Sequence, residues 1–385
     1  MSTLYSRFAT LAALAFAVSS LFVGCGGSGG DQKDEPDEPS VDEVAFARGA
    51  DVSWASEMEY DMTHNPSRIG GTAFKDSKGN AGLYPVLKAA GINAIRLRVW
   101  VKPEDPNGWS GKDDVVRMAK RAAEAGMSVM IDFHYSDFFA DPSRQNTPSE
   151  WAGLDLNGLC AKVAEHTRNV LTALKSAGVT PLWVQVGNET RPGMLWETGR
   201  LYNDKGEISG GWSNYAALSN AGYDAVKSVF PAAKVIIHID NAYQDNTWFF
   251  DKLKAAGGKF DMIGLSHYPM TNPSMTWKAM NSSAILNIKS LAAKYGCRVM
   301  VCEVGVKNTA SDLAVSTLCM TEFMNSVKSL SVCAGVFYWE PQVDGKWRPS
   351  IYERPGRDWG AYNMGAFSSD GSAITPTAIL SAFGE

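Results

Sequence analysis

The sequence predicts an α/β protein folded as a single (β/α)₈ barrel, and three observations support this prediction. Short runs rich in Val, Ile and Phe recur along the chain, apolar on both faces, as in strands buried on both sides. Helical patterns alternate with these runs. The folded part, roughly 340 residues, suits one large barrel, although two ordinary domains would fit the same length. The predicted strands cover residues 46–54, 92–100, 128–135, 181–189, 234–240, 260–268, 298–304 and 334–340.

The helical patterns carry stop signals. Residues 115–126 have apolar positions at helical spacing and close on Gly126, a residue type that readily ends a helix. A second pattern closes on Gly178. A doubly wound open sheet is the alternative, but it needs a Gly-rich phosphate loop after the first strand, and residues 53–60 form no such loop. The pattern therefore favours a TIM barrel.

The composition excludes nucleic-acid binding. The formal net charge is only −5, and no basic run with interleaved aromatic residues is present. Twelve Trp and thirteen Tyr are more informative, because aromatic faces stack on the apolar faces of sugars. Such rings also fill large cores, so the aromatic content by itself leaves both explanations open.

The N-terminus resembles a lipoprotein signal peptide over residues 1–24. An apolar run too short to span a bilayer ends in LFVGC, which is similar to a bacterial lipobox with Cys25 as the lipidated residue. Simple secretion is the alternative. Residues 25–45 are predicted to be a flexible acidic linker, similar to the surface-export signals of Bacteroidetes lipoproteins. We expect an outer-membrane lipoprotein at the cell surface, held by its lipid alone, with residues 46–385 as one monomeric domain.

The remaining cysteines do not predict a metal site. They form no C-x-x-C pair and their number is odd, so we expect mostly buried free thiols. These residues are Cys160, Cys297, Cys302, Cys319 and Cys333.

Polar and aromatic residues cluster where the predicted strands end. In a barrel of this kind, chemistry takes place at the C-terminal face, whereas the interior layers prefer Val, Ile and Leu. Each residue alone has a structural explanation, such as a salt-bridged carboxylate, but the combination predicts a catalytic site. The residues are Asp51, Arg96, His134, Asn188, Glu189, Asp240, His267, Tyr268, Glu303, Trp339 and Glu340.

Two of these carboxyl groups predict glycoside hydrolysis. Glu189 ends strand four and Glu303 ends strand seven, so they can face each other across the barrel mouth. Retaining hydrolysis needs one carboxyl group that protonates the leaving oxygen and one that attacks the anomeric carbon. We expect Arg96 to keep Glu303 ionised, and acidic neighbours to keep Glu189 protonated. Tyr268 would orient Glu303.

Three longer stretches resemble glycoside hydrolase family 53, the endo-β-1,4-galactanases of clan A. They are GADVSWASEME (49–59), MIDFHYSDFFADPSRQNTPSEW (130–151) and VGNETRPGMLWETG (186–199). The resemblance implies retaining endo-hydrolysis of β-1,4-galactan, with Glu189 as acid/base and Glu303 as nucleophile. It also implies substrate contacts from Asp51, Arg96, His134, Asn188, Asp240, His267, Tyr268 and Trp339.

The resemblance leaves cofactor and substrate questions open. Some bacterial members bind calcium through an Asp-rich loop after strand seven, but residues 306–315 lack such a series, so we expect no cofactor there. Another clan A hydrolase acting on mannan or β-glucan is the alternative, because one epimeric hydroxyl separates these sugars. An inactive glycan-binding protein is the second alternative.

Overall fold

The computed structural model describes residues 45–354 and 362–384. The predicted signal peptide (1–24), the lipidated Cys25 and almost all of the linker therefore lie outside the described residues. In the described ranges, no helix has the length and apolar character that a membrane span requires.

Eight parallel strands form a closed barrel, which confirms the predicted fold. Each strand pairs with its neighbours in chain order, and the last pairs with the first, so that Asp51 lies level with both Arg96 and Trp339. The strands are β1 (Ala47–Asp51), β2 (Ala94–Val99), β3 (Ser128–Phe133), β4 (Trp183–Val186), β5 (Lys234–Ile239), β6 (Met262–His267), β7 (Val299–Val304) and β8 (Cys333–Trp339).

Helices surround the barrel and connect consecutive strands. Two helices follow β1, one follows each of β2 to β7, and the 3₁₀ helix Ala378–Phe383 packs on the last of them. The helices are α1 (Ala55–His64), α2 (Leu83–Ala89), α3 (Lys112–Glu124), α4 (Leu156–Ser176), α5 (Gly211–Val229), α6 (Thr247–Ala255), α7 (Trp277–Tyr295) and α8 (Leu313–Lys328).

The predicted stop signals act as expected. Gly126 and Gly178 follow α3 and α4 with φ angles of 72° and 75°, a left-handed conformation in which glycine carries no steric penalty. At its other end α4 begins at an N-cap, where the Asp155 carboxylate accepts a hydrogen bond from the Gly158 backbone N–H. Local sequence therefore sets the bounds of these helices.

Strand β4 is shorter than the sequence predicts. The prediction carried it to Glu189, but the ladder ends at Val186. Gly187 and Glu189 have φ angles of 89° and 47°, so the chain leaves the extended conformation before the glutamate. Glu189 consequently lies in the turn above the strand rather than in the sheet.

The barrel interior is apolar towards the N-terminal ends of the strands, and this decides where polar chemistry can occur. Met130, Trp183, Met300 and Phe337 belong to one buried cluster there. Trp183 and Phe337 meet edge to face with ring centroids 6.1 Å apart. Charged side chains inside the barrel are therefore confined to its C-terminal half.

The five cysteines in the described ranges are free thiols, as predicted. Three of them are buried and two are partly buried. Burial raises the pKa of the Cys333 thiol to about 12, so that it behaves as a small apolar side chain.

We expect Gly49→Ala to destabilise the barrel by about 1–3 kcal/mol, because overpacking forces neighbouring groups to move. An added Cβ would lie 2.1 Å from a ring carbon of Phe337. Urea unfolding measures the change. The effect of Gly49→Ala should be smaller in a Phe337→Leu background, and an unchanged unfolding midpoint in the single variant would contradict this packing argument.

Candidate active site

A cavity of about 240 Å³ opens at the C-terminal end of the barrel. Six of the predicted residues line it, contributed by strand ends or the turns that follow them, so the structure brings together groups far apart in the chain. They are His134, Asn188, Glu189, Tyr268, Glu303 and Trp339.

Glu303 lies on β7 with both carboxylate oxygens engaged. Arg96 Nη1 lies 3.0 Å from Oε1, and the Tyr268 hydroxyl donates a 2.8 Å hydrogen bond to Oε2. Burial raises the pKa of Glu303 to about 7, although Arg96 and the Tyr268 hydrogen bond oppose the rise. These two contacts hold the carboxylate in one orientation and favour its ionised form, as predicted.

Glu189 faces the same cavity without a cationic partner of this kind. Burial raises its pKa well above the ordinary value, and the negative charges of Glu303 and Asp240 raise it further. A hydrogen bond from Ser266 acts in the opposite direction. The surroundings of the two carboxyl groups therefore differ, because negative neighbours favour the protonated form of Glu189, whereas Arg96 and Tyr268 favour the ionised form of Glu303.

Arg96 connects the two sides of the site. It is 1% exposed, and its Nη1 lies 2.7 Å from Asp51 Oδ2 in addition to its contact with Glu303. Its Nη2 lies 2.9 Å from both Asp132 Oδ2 and Asn188 Oδ1. Asp132 is thus paired with an inward-facing arginine.

Asp132 fixes the orientation of His134. Burial disfavours the Asp132 carboxylate, but the charge of Arg96 and the hydrogen bond from His134 lower its pKa to about 2. The His134 Nδ1 accepts from the backbone N–H of Ala140, so the proton lies on Nε2, 2.9 Å from Asp132 Oδ2. His134 presents a fixed ring to the cavity.

A second buried arginine supports the aromatic side of the cavity. Arg98 Nη1 pairs with Glu340 Oε1 at 2.5 Å, and the guanidinium lies 4.9 Å from the Trp54 ring centroid and 4.7 Å from that of Phe139. Trp54 in turn contacts Trp339 edge to face at 5.3 Å. Glu340 is therefore a buried ion-pair partner.

Three predicted substrate contacts lie away from this cavity. Asp51 is fully buried beneath Arg96, and Asp240 is held by Arg191 and Asn241. His267 Nε2 donates to the side-chain oxygen of Asn281 on α7, and the ring packs on Phe323 of α8, so it points out of the barrel. The prediction that His267 reaches a ligand in the cavity is wrong.

Strand alternation explains the error at His267. Residues two apart on a strand share a face, so Ser266 and Tyr268 face inward and His267 faces the helices. In the barrel, Ser266 lies level with Glu303. The sequence analysis missed Ser266, together with the buried Gln185 and His238, although this alternation pointed to Ser266.

The loops contribute cavity residues that the sequence analysis did not single out. They are Phe139, Asp141 and Arg144 in the loop after β3 and Tyr352 in the loop after β8. In the sequence, the length of the loop after β3 was the feature that could have indicated its three residues. In the described ranges, no group of three or more His, Cys, Asp or Glu side chains could hold a metal ion.

Known proteins resemble this chain over nearly all of the described barrel. The sequence model of "Glycosyl hydrolase family 53" matches residues 47–379. An arabinogalactan endo-β-1,4-galactanase of Thermothelomyces thermophilus is 36% identical over 295 residues, 70% of this chain and 84% of that protein. An endo-β-1,4-galactanase of Bacillus subtilis (strain 168) is 30% identical over 360 residues, 86% of this chain and 78% of that protein.

Solved structures of similar proteins also match this chain. A fungal β-1,4-galactanase structure matches with a TM-score of 0.72 and 31% identity, covering 88% of this chain and 99% of the other. The catalytic domain of an Ignisphaera aggregans family 53 protein matches with a TM-score of 0.70 and 28% identity, covering 91% and 97%. A xylanase from Bispora, at 12% identity, shares the fold alone.

We expect Tyr268→Phe to raise the pKa of Glu303 above about 7, by roughly half a unit to one unit. The variant removes a hydrogen bond that the ionised carboxylate accepts, so the protonated form gains relative stability. Carbon-13 NMR titration of the glutamate carboxyl groups, with Glu303→Gln for assignment, measures the shift. Tyr84→Phe, which removes a buried hydroxyl bonded to a helix carbonyl, is the control and should leave the titration unchanged.

Proposed function

The chain belongs to glycosyl hydrolase family 53, and on that premise we propose that it cleaves β-1,4-galactosidic bonds within galactan chains, such as the type I arabinogalactan side chains of pectin, with retention at the anomeric carbon. The observation that carries this proposal is the carboxyl pair in one cavity, with Glu303 held by Arg96 and Tyr268 and Glu189 surrounded by acidic neighbours. The galactanase names of the relatives support the substrate.

The first chemical step uses both carboxyl groups. Glu303 attacks the anomeric carbon of the sugar as a carboxylate, while Glu189 donates its proton to the glycosidic oxygen that leaves. The carbon–oxygen bond of the leaving sugar breaks, and an ester bond to Glu303 forms. The proton needed by the leaving group is the one that burial and negative neighbours retain on Glu189.

The second step reverses the role of Glu189. Once Glu303 is an ester it carries no charge, so one of the causes that raises the pKa of Glu189 disappears. Glu189 can then accept a proton from the water that attacks the anomeric carbon. The product regains the β configuration, and the reaction uses only protein carboxyl groups and water, without a cofactor.

The lining residues provide contacts for the sugar. Asn188 is fixed by Arg96 and donates one amide hydrogen to the Ala140 carbonyl, which leaves the other hydrogen for a sugar hydroxyl next to the reacting carbon. Trp339 is partly exposed and forms an aromatic floor of the cavity, and the buried Tyr362 ring packs on it edge to face with the centroids 4.8 Å apart. Such a floor suits the apolar face of a galactose unit.

We also propose that the protein is a monomeric outer-membrane lipoprotein, anchored through Cys25 and exposed at the cell surface. The lipobox-like LFVGC and the acidic linker support this location. A barrel on a linker of this kind could reach a polysaccharide outside the cell.

We expect the protein to release short oligosaccharides from linear β-1,4-galactan while leaving β-mannan and cellulose intact. Sugars that differ at one hydroxyl are separated by the hydrogen bonds that this hydroxyl makes in the site. Chromatography of the products after equal incubation with each polymer tests the specificity. Cleavage of mannan or cellulose at a comparable rate would instead favour the wider clan A alternative, and binding without cleavage would favour the glycan-binding one.

The two carboxyl groups should respond differently to replacement by alanine. Glu303→Ala is expected to lose several orders of magnitude on every substrate, because no ester can form. Glu189→Ala should lose about 10²–10⁴-fold on galactan and far less on an aryl galactoside whose leaving group needs no proton. Glu165→Ala, on the exposed side of α4, is the control.

Added azide makes the contrast sharper. With the aryl substrate, the Glu303→Ala variant should yield a glycosyl azide of inverted configuration, because azide replaces the nucleophile. The Glu189→Ala variant should yield one of retained configuration, because azide replaces water in the second step. Products of the opposite configuration in the two variants would mean that the roles are exchanged.

A further inference from the structure

A buried series of polar side chains runs from Arg96 towards Glu189, and the direction of its hydrogen bonds can be worked out from the arginine. Arg96 Nε can only donate, and it does so to Gln185 Oε1 at 2.6 Å. The amide nitrogen of Gln185 must then point the other way, where it lies 2.9 Å from His238 Nδ1. Gln185 therefore donates to the histidine.

The tautomer of His238 follows from its neighbours. Gln185 Nε2 and the backbone N–H of Glu189, at 3.4 Å, both direct donors at Nδ1. The Asn188 Oδ1 also lies 3.0 Å from Nδ1 and by itself would favour a proton there, but two donors outweigh this single acceptor. Nδ1 is therefore an acceptor, and the ring proton lies on Nε2, which donates to Ser266 Oγ at 2.9 Å.

His238 stays neutral in this position. Burial lowers its pKa well below the ordinary value, and the nearby Arg96 charge lowers it further. Asp132 acts in the opposite direction, and His134 acts in the same direction as Arg96. A neutral ring with a fixed Nε2 proton is a permanent donor to Ser266.

We propose that Gln185, His238 and Ser266 form a positioning chain. Ser266 accepts from His238, which leaves its own hydroxyl proton available, and from its place level with Glu303 it directs this proton at the carboxyl group of Glu189. The inference rests on the acid/base role assigned to Glu189 above. Ser266 is 2% exposed and does not line the cavity, so it acts on the reaction through Glu189 and not through the sugar.

This chain sets how tightly Glu189 binds its proton. Glu303 on β7, Asp240 after β5 and Asp141 after β3 all raise the pKa of Glu189. Arg144, in the loop after β3, is a cationic group that lines the same cavity. Tyr268 also faces Glu189 from the end of β6. A hydroxyl that donates to the carboxylate stabilises the ionised form, so Ser266 lowers the pKa of Glu189.

The consequence is a carboxyl group that can change role during the reaction. Without the Ser266 hydroxyl, the pKa of Glu189 would be higher still. Glu189 would then release its proton less readily to become the base that the second step needs. Because the same chain begins at Arg96, which also holds Glu303, one set of hydrogen bonds orients both carboxyl groups.

The pH dependence of kcat/KM on galactan tests the proposal. The alkaline limb of this profile reports loss of the proton from Glu189 in the free enzyme. In Ser266→Ala we expect this limb to move to higher pH by about one unit, because the ionised form loses a charge-assisted hydrogen bond. Ser266→Thr retains the hydroxyl and should keep the limb of the parent.

Two further variants separate the chain from a packing effect. His238→Leu should shift the alkaline limb as Ser266→Ala does, whereas His238→Gln, whose amide can donate to Ser266, should restore it. Ser219→Ala, which removes a buried hydroxyl bonded to a carbonyl of α5, is the matched control and should leave the profile unchanged. Should Ser266→Ala be too unstable to assay, Ser266→Cys replaces the hydroxyl with a weak donor and should shift the limb in the same direction.

The outcomes distinguish this inference from the proposed function. If Glu189→Ala cleaves galactan normally, the acid/base assignment itself fails. If Glu189→Ala is impaired but Ser266→Ala keeps the alkaline limb of the parent, or Ser266→Ala and Ser266→Thr shift equally, the positioning chain is refuted. Nitrogen-15 NMR gives an independent check, because a proton on Nδ1 of His238 would also refute it.

Discussion

The guanidinium group of Arg96 is the interaction on which the site depends. A buried charge needs partners, and this one is surrounded by the carboxylates of Asp51, Asp132 and Glu303. Three negative charges around one positive charge leave an excess of negative charge. This excess is one reason why the pKa of Glu303 is raised above that of an ordinary glutamate. Removal of the arginine would leave several buried carboxylates without their common partner.

The rest of the barrel is arranged so that this group of charges can exist. The interior towards the N-terminal ends of the strands is filled by apolar side chains such as Trp183 and Phe337, so water and polar groups meet only at the C-terminal end. There the chain turns out of the sheet, as it does at Glu189 and Glu340, whose φ angles are 47° and 46°. Left-handed conformations at two glutamates direct one side chain into the cavity and bury the other against Arg98.

The different roles of the two carboxyl groups follow from their surroundings. Glu303 has a cation and a phenol as partners, while Glu189 has negative neighbours and a serine hydroxyl. Glu189 therefore binds its proton less tightly once Glu303 becomes an uncharged ester in the covalent intermediate. In our proposal, the positioning chain through His238 and Ser266 acts on Glu189 from outside the cavity lining.

The sequence by itself determined the eight strands, the helix stops at Gly126 and Gly178, and the two glutamates, because burial, periodicity and glycine conformation act over short stretches of chain. The tertiary structure alone decided which polar side chains meet. His267 was an apparent site residue, yet the strand turns it outward and turns Ser266 inward. Such contacts depend on strand register and on side chains from elements far apart in the chain, and no local pattern encodes the direction of their hydrogen bonds.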